Sequence, residues 1–178
     1  GADLSAKVLR GVNILADNVA STLGPRGRTV LLQRAGTGPF VSKDGVTVAD
    51  HVVLDDPIEN AAVHILKQAS SQTNTLAGDG TTTSMVLARA ILQEAQKHIV
   101  AGTPPIEIKR AIDRATEVLV ANLKEASTPI QSEEDIAHIA TISANNDETI
   151  GNLIAKAVDC VGKDGSITVE QARSTQTS

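Results

Sequence analysis

The chain has 178 residues, of which 41% are hydrophobic, with a formal net charge of −5, one Phe and neither Trp nor Tyr. That length holds one full domain, or a domain with a small appendage, and its core must be built from Ala, Val, Ile and Leu, which suits close helix–helix packing. Dispersed basic residues without aromatic platforms argue against nucleic-acid binding, no apolar run reaches membrane-span length, and the lone Cys160 has no internal disulfide partner, which points to a reducing compartment.

No signal-peptide pattern opens the chain. Gly1-Ala2-Asp3 lacks an initiator Met, which reads as a processed or truncated protein. Leu4, Val8, Val12, Leu15 and Val19 predict a helix over 3–21, with Asp3 as its cap and Gly24-Pro25 beyond its end. Thr29–Gln33 reads as a strand and Ala35–Pro39 as a Gly/Pro turn. Phe40–Ser42 and Val46–Ala49 read as short extended pieces around a turn at Lys43-Asp44-Gly45. A second helix starts at Pro57 with Asp55 or Asp56 as cap. Its apolar stripe is Ile58, Ala61, Ala62, Ile65, Leu66 and Ala69, and it fades near Thr73-Asn74-Thr75. After the break at Gly78-Asp79-Gly80, a third helix runs from Thr81–Thr83 to Val100, with Met85, Ala88, Leu92, Ala95 and Ile99 inward. A fourth follows Pro104-Pro105 to Ala126, lined by Ile108, Ile112, Ala115, Leu119 and Leu123.

Ser127-Thr128-Pro129 is the best internal boundary, because Pro129 disfavours helix at Thr128. A short helix capped by Ser132 carries Glu133, Glu134 and Asp135 in its first turn, where acidic groups suit the dipole. It ends near Ala144-Asn145-Asn146, and Asn146 reads as a cap of the next helix, over 147–161. A strand is expected at Ser166–Glu170, then a loose polar tail over Ala172–Ser178.

The sharpest chemical signal is Gly78-Asp79-Gly80-Thr81-Thr82-Thr83 at a helix start. Two glycines permit an anion-binding nest, the helix N-terminus offers free N–H groups, and three threonines add hydroxyls. Asp79 would repel a bare phosphate, but suits a Mg²⁺ ion held between it and phosphate oxygens. A plain Gly turn with a threonine-rich helix start is the competing explanation. Thr22-Leu23-Gly24-Pro25-Arg26-Gly27-Arg28 lets a ligand approach the main chain, although alone it reads as a helix stop. Lys43-Asp44-Gly45 presents a cation and a carboxylate that would hold a phosphate and orient a water, although alone it reads as a hairpin turn. No Walker A loop exists. His51, His64, His98 and His138 lack metal-ligand spacing, Cys160 has no activating partner, and no Ser-His-Asp device is present.

Together with Leu9-Arg10-Gly11-Val12-Asn13, Ser42–Ala49 and Ala140-Thr141-Ile142-Ser143-Ala144-Asn145, these strings resemble group I chaperonins, the GroEL family, in order and spacing as far as about Glu170. The resemblance implies a mainly α fold: a multi-helix equatorial domain with short β-strands, then the start of a small α/β intermediate domain. Residues 1–125 would be the first half of the equatorial nucleotide-binding domain and 126–178 the first half of the intermediate domain. The apical domain and the return segments would lie outside the chain. It implies a chaperonin ATPase that assists protein folding as part of a complete subunit, the 178 residues alone being inactive. Its cofactors would be ATP and Mg²⁺, with K⁺ as a further ion.

By the same resemblance, Thr22, Leu23, Gly24 and Pro25 line the nucleotide, Lys43 faces the phosphates, and Asp44 is the catalytic carboxylate near the attacking water. Asp79 is the Mg²⁺ ligand, Gly80, Thr81, Thr82 and Thr83 cradle phosphate, and Ile142 and Ser143 touch the base region. Pro129 falls at a hinge, and Asp147 at an ion pair whose arginine lies outside the chain. Arg26 stands where Lys is frequent, and Asn146 occupies a variable slot. The implied partners are identical subunits in a ring, with co-chaperonin and unfolded clients reached through the apical domain, and neither nucleic acid nor membrane. The implied setting is the cytoplasm of a bacterium or phage-infected cell, with a mitochondrial or plastid matrix as the other setting. Two other readings compete: a truncated paralogue acting as a non-catalytic scaffold, and an unrelated phosphate-binding enzyme.

Overall fold

The computed structural model of the chain describes residues 2–24, 26–33, 36, 38–162 and 165–168. Among them are seven helices and one two-stranded sheet, and the chain divides into two compact units, Gly1–Val118 and Leu119–Ser178.

In the first unit, helix α1 (Ala2–Ala20) buries Val12, Leu15, Ala16 and Val19, the face expected of its spacing. Asp3 is not its cap; it lies within the first turn, where its charge faces the positive end of the dipole. Strands β1 (Val30–Leu32) and β2 (Phe40–Ser42) pair antiparallel, with Val30 opposite Ser42 and Leu32 opposite Phe40. Of the turn expected at Ala35–Pro39, Ala35 and Thr37 lie outside the described residues.

The segment after β2 departs from expectation. Val46–Ala49 is not extended but part of helix α2 (Gly45–His51), because Asp44 caps it through both carboxylate oxygens, to the Val46 and Thr47 amides. Val46, Thr47 and Val48 favour strand by propensity, yet a cap and burial of Val48 and Ala49 override so weak a preference.

Helix α3 (Pro57–Ala77) has Pro57 in its first turn and Asp56 as N-cap, accepting from the Ile58 and Glu59 amides. It does not fade at Thr73-Asn74-Thr75. Thr73 and Thr75 turn their hydroxyls back on the Ala69 and Ser71 carbonyls, each at 3.0 Å, within a helix that continues through them. The helix stops at Gly78, in the left-handed region at φ 71°. Its inward face is also rotated from the expected stripe: Glu59, Ala62, Val63, Leu66 and Ser70 are buried, while Ile65 is 69% exposed. The cause is the close passage of α1 at Gly11, whose missing side chain brings the Glu59 backbone into contact, with Arg10 pairing Glu59 at 3.0 Å.

Helix α4 (Thr81–Val100) inserts Met85, fully buried, into a core made with Val12, Leu15, Val19, Leu32, Val48, Val63 and Leu66. Helix α5 (Pro105–Ala126) buries no residue; Ile108 and Ile112 are half-buried, while Leu119 and Leu123 are exposed.

Residues 127–131 have no helix or strand, as the proline requires. In the second unit, helix α6 (Glu133–Ser143) starts in a reciprocal capping box between Ser132 and Asp135. Helix α7 (Glu148–Val161) is capped by Asp147, not Asn146. Asn145 and Asn146 instead make the turn at φ 58° and 66°, a conformation asparagine tolerates. The two helices close on Ala140 and Ala155, and on Gly151, where any Cβ would meet the Thr141 amide nitrogen and Cα at 2.8 Å. Ser166–Thr168 is not a strand; Val169, Glu170 and the tail Ala172–Ser178 lie outside the described residues.

Candidate functional site

Three of the stretches singled out by sequence converge in the first unit, and Gly45 is where they meet. A side chain on Gly45 would collide with the Thr82 hydroxyl, come within 3.1 Å of Thr82 Cβ and within 3.3 Å of Thr22 Oγ1. The end of α1, the start of α2 and the start of α4 therefore pack at van der Waals distance around one buried glycine.

Thr22 ends α1: its amide and its hydroxyl both donate to the Val19 carbonyl, at 3.0 and 2.7 Å. The chain then doubles back, with the Gly27 amide on the Gly24 carbonyl at 2.8 Å and the Arg28 amide on Ser21 at 2.7 Å. Leu23 and Gly24 are exposed along this tight loop, and Pro25 lies outside the described residues.

Lys43 is exposed at the end of β2. Asp44 beside it is engaged by the helix it caps. Its Oδ1 accepts from the Val46 amide at 3.3 Å, and its Oδ2 from the Thr47 amide at 2.9 Å and the Thr47 hydroxyl at 2.6 Å. Partial burial pushes the Asp44 carboxyl up, but the hydrogen bonds from Thr47 and Val46 outweigh it and hold the group ionised below its ordinary range. Asp44 therefore presents a fixed carboxylate, with lone pairs left over for a further donor.

Gly80 is the N-cap of α4 at φ 80°, and no side chain caps the helix there. Its first-turn amides and dipole end are thus free for an anion. Thr81 and Thr82 are half-buried and Thr83 exposed. Asp79 is exposed between the two left-handed glycines, its Oδ1 accepting from the Gly80 amide at 2.6 Å. The described residues contain no cluster of three or more His, Cys, Asp or Glu suited to a metal. A single carboxylate beside an uncapped helix end fits Mg²⁺, which takes one or two carboxylates and completes its shell with phosphate and water.

Ile142 and Ser143, in the last turn of α6, belong to the second unit, and both are exposed. Ile142 borders a groove between α6 and α7 whose walls carry Glu133, Glu134, Glu148, His138 and Lys156. Asp147 accepts from the Thr149 and Ile150 amides at 2.9 and 3.1 Å, a capping role. Sequence reasoning missed Thr47 and the packing role of Gly45. The spacing of Asp44 and Thr47, N-cap and third helical residue, was the available signal for Thr47.

The TCP-1/cpn60 chaperonin family matches residues 15–177, and the chain belongs to that family. Two solved structures are similar to it. One is the chaperonin gp146 from bacteriophage EL 2 (Pseudomonas aeruginosa) in presence of ATP-BeFx, with 25% identity and a TM-score of 0.72 over 88% of this chain and 28% of that one. The other is a group III chaperonin in the open state, with 25% identity and a TM-score of 0.74 over 89% of this chain and 32% of that one. The chain thus spans under a third of the length of either. The mainly helical architecture with its small sheet is that of a chaperonin equatorial domain. Among the described residues, no helix is long and apolar enough to cross a membrane.

Proposed function

We propose that the full-length protein is an ATP-dependent chaperonin subunit of the group I type that assists protein folding, with the first unit carrying part of its nucleotide site. The observation that carries this reading is the meeting of Thr22, Gly45 and Thr82 beside the uncapped start of α4. It gathers three separated motifs around one helix end suited to phosphate. The Thr22-Leu23-Gly24-Pro25 loop lines the nucleotide, with Ile142 and Ser143 near its base. Gly80 and the amides and hydroxyls of Thr81, Thr82 and Thr83 bind phosphate oxygens, and Lys43 offsets their charge. Asp79 holds Mg²⁺, which neutralises phosphate charge when bound. Asp44, kept ionised by Thr47, orients the attacking water. K⁺ is a further candidate ion.

On this reading residues 1–125 belong to an equatorial domain and 126–178 to an intermediate domain, with Ser127-Thr128-Pro129 as a hinge. Identical subunits form a ring, and clients and co-chaperonin bind an apical domain, in the cytoplasm of a bacterium or phage-infected cell. A non-catalytic scaffold role draws on one observation, the exposed Val118, Leu119, Val120 and Leu123 of α5. Steady-state ATP hydrolysis by the full-length protein, compared with its Asp79→Ala variant, separates the two. Turnover lost in the variant supports the ATPase, whereas equal turnover in both, or none in either, overturns it.

A further inference from the structure

Helix α2 has seven residues, about two turns, too short to be stable unless both ends are held. Asp44 holds its N-terminal end. Its C-terminal end is held from α3: Lys67 Nζ donates to the Asp50 carbonyl at 3.2 Å and the Val52 carbonyl at 2.9 Å. A cation there also faces the negative end of the helix dipole. Burial draws the Lys67 ammonium below its ordinary lysine range, and the nearby Asp50 carboxylate opposes this only in part.

The α2–α3 contact around Lys67 is otherwise loose. A cavity of about 130 Å³ lies there, lined by Val46, Ala49, Asp50, Lys67, Ser70 and Asn74 among others. The buried Ser70 hydroxyl has no hydrogen-bond partner among the described residues. Val48, Ala49 and Val52 pack this stretch into the core, and the His51 ring meets Phe40 of β2; on the side facing α3, the two hydrogen bonds from Lys67 are the specific polar tie. Helix α3, by contrast, is anchored independently: Ala62, Val63 and Leu66 are in the core, and Asp56 pairs with Lys7 of α1.

We infer that Lys67 is a positioning residue for Asp44: by fixing the carbonyl end of α2 to α3, it sets where the carboxylate at the opposite end stands. This rests on the reading of Asp44 as the carboxylate that orients the attacking water. Lys67 touches neither nucleotide nor water; it acts through the rigid helix. Most of the proposed phosphate-binding groups stand on α4 and the loop after α1, to which Lys67 makes no hydrogen bond among the described residues; Lys43, beside Asp44, is the exception.

The test uses the full-length protein and its Lys67→Met, Lys67→Gln and Lys67→Arg variants, with Asp44→Asn as reference. ATP hydrolysis, melting temperature and hydrogen exchange over 45–51 are measured on each. Lys67→Met is expected to lower kcat about tenfold, the scale of a small misplacement of a catalytic group, with KM for ATP changed less than about twofold. Exchange should quicken in α2 and not in α3, and Lys67→Arg should restore most of kcat. If Lys67→Met does not fold, Lys67→Gln, with fewer donors and no charge, should fall below Lys67→Arg in kcat. Unchanged α2 exchange in Met or Gln, or kcat and KM altered in proportion, overturns the inference. Wild-type protein that hydrolyses no ATP, or an Asp44→Asn variant with normal kcat, overturns instead the reading of the site on which it rests.

Discussion

Thr82 rests its hydroxyl against Gly45, so that the first turn of α4 and the first turn of α2 share a boundary with no room for a methyl group. Gly45→Ala would force Thr82 out of its rotamer or push the helices apart. Overpacking of this kind costs about 1–3 kcal/mol. The nearest atom is the end of a side chain rather than backbone, so Thr82→Ala should relieve much of the strain. Thermal denaturation of the two single variants and the double variant should give a non-additive cycle, with the double variant more stable than Gly45→Ala alone. Strict additivity would mean that Thr82 is not what keeps Gly45 bare.

Asp44 has two separable roles, and two substitutions distinguish them. As a cap it uses both carboxylate oxygens, of which Asn keeps one and Ala neither. Asp44→Ala should lose about 1 kcal/mol of stability, and Asp44→Asn a smaller part of that. As the proposed carboxylate beside the attacking water it needs its charge, so both variants should lose ATP hydrolysis. The pH dependence follows from the direction of its shift. The folded-state carboxyl lies below its ordinary value of 3.8, so its ionisation stabilises the fold above that value and ceases to do so as pH falls through the folded-state pKa. The stability gap between wild type and Asp44→Asn, measured by denaturant titration, should narrow below about pH 4. A gap that widens there would contradict the assigned sign.

Long helices with clear punctuation were legible in the sequence. Pro57 after Asp56 marked a start that the structure keeps to the residue, and α4 and α5 start within the Thr81-Thr82-Thr83 and Pro104-Pro105 stretches that punctuated the sequence. What was not legible depended on partners distant in sequence. Val46–Ala49 alternates like a strand, and the grip of Asp44 on the Thr47 amide and hydroxyl, with burial of Val48 and Ala49, makes it helical. The inward face of α3 turned because α1 approaches at Gly11, a contact no local pattern announces. Asn146 looked like a cap because Asn and Asp are both good ones; the two left-handed residues needed to turn the chain put Asp147 there instead. At the site, residue types and spacing named the threonines and aspartates. The convergence on Gly45 required the tertiary fold.

Within the second unit, Gly151 holds the closest approach of α6 and α7. A Cβ there would meet Thr141 backbone atoms at 2.8 Å, and backbone cannot swing aside as the Thr82 hydroxyl can. Gly151→Ala should therefore be more damaging than Gly45→Ala, at the upper end of the overpacking range of about 1–3 kcal/mol. No side-chain substitution at Thr141 should rescue it. Circular dichroism melts of Gly151→Ala with and without Thr141→Ala check this. Recovery in the double variant would show that the Thr141 hydroxyl, also in contact, is the main obstacle rather than its backbone.

The start of α4 allows loop shape and charge to be tested apart. Gly80 sits at φ 80° with only Thr73 Cγ2 near, at 3.8 Å, so Gly80→Ala meets no clash but must hold a left-handed conformation. That costs about 1–2 kcal/mol and should displace the first-turn amides, weakening ATP binding with or without Mg²⁺. Asp79→Ala leaves both left-handed glycines in place. It removes a carboxylate that would otherwise repel phosphate, so the proposed site predicts that metal-free ATP binds no worse than in wild type. The gain in affinity on adding Mg²⁺ should disappear, because Asp79 is the proposed protein ligand of the ion. Calorimetric titration of ATP into the full-length protein, with Mg²⁺ and with chelator, measures both terms. A full Mg²⁺ gain in Asp79→Ala would remove Asp79 from the metal site, and unaltered metal-free binding in Gly80→Ala would remove the phosphates from the α4 N-terminus.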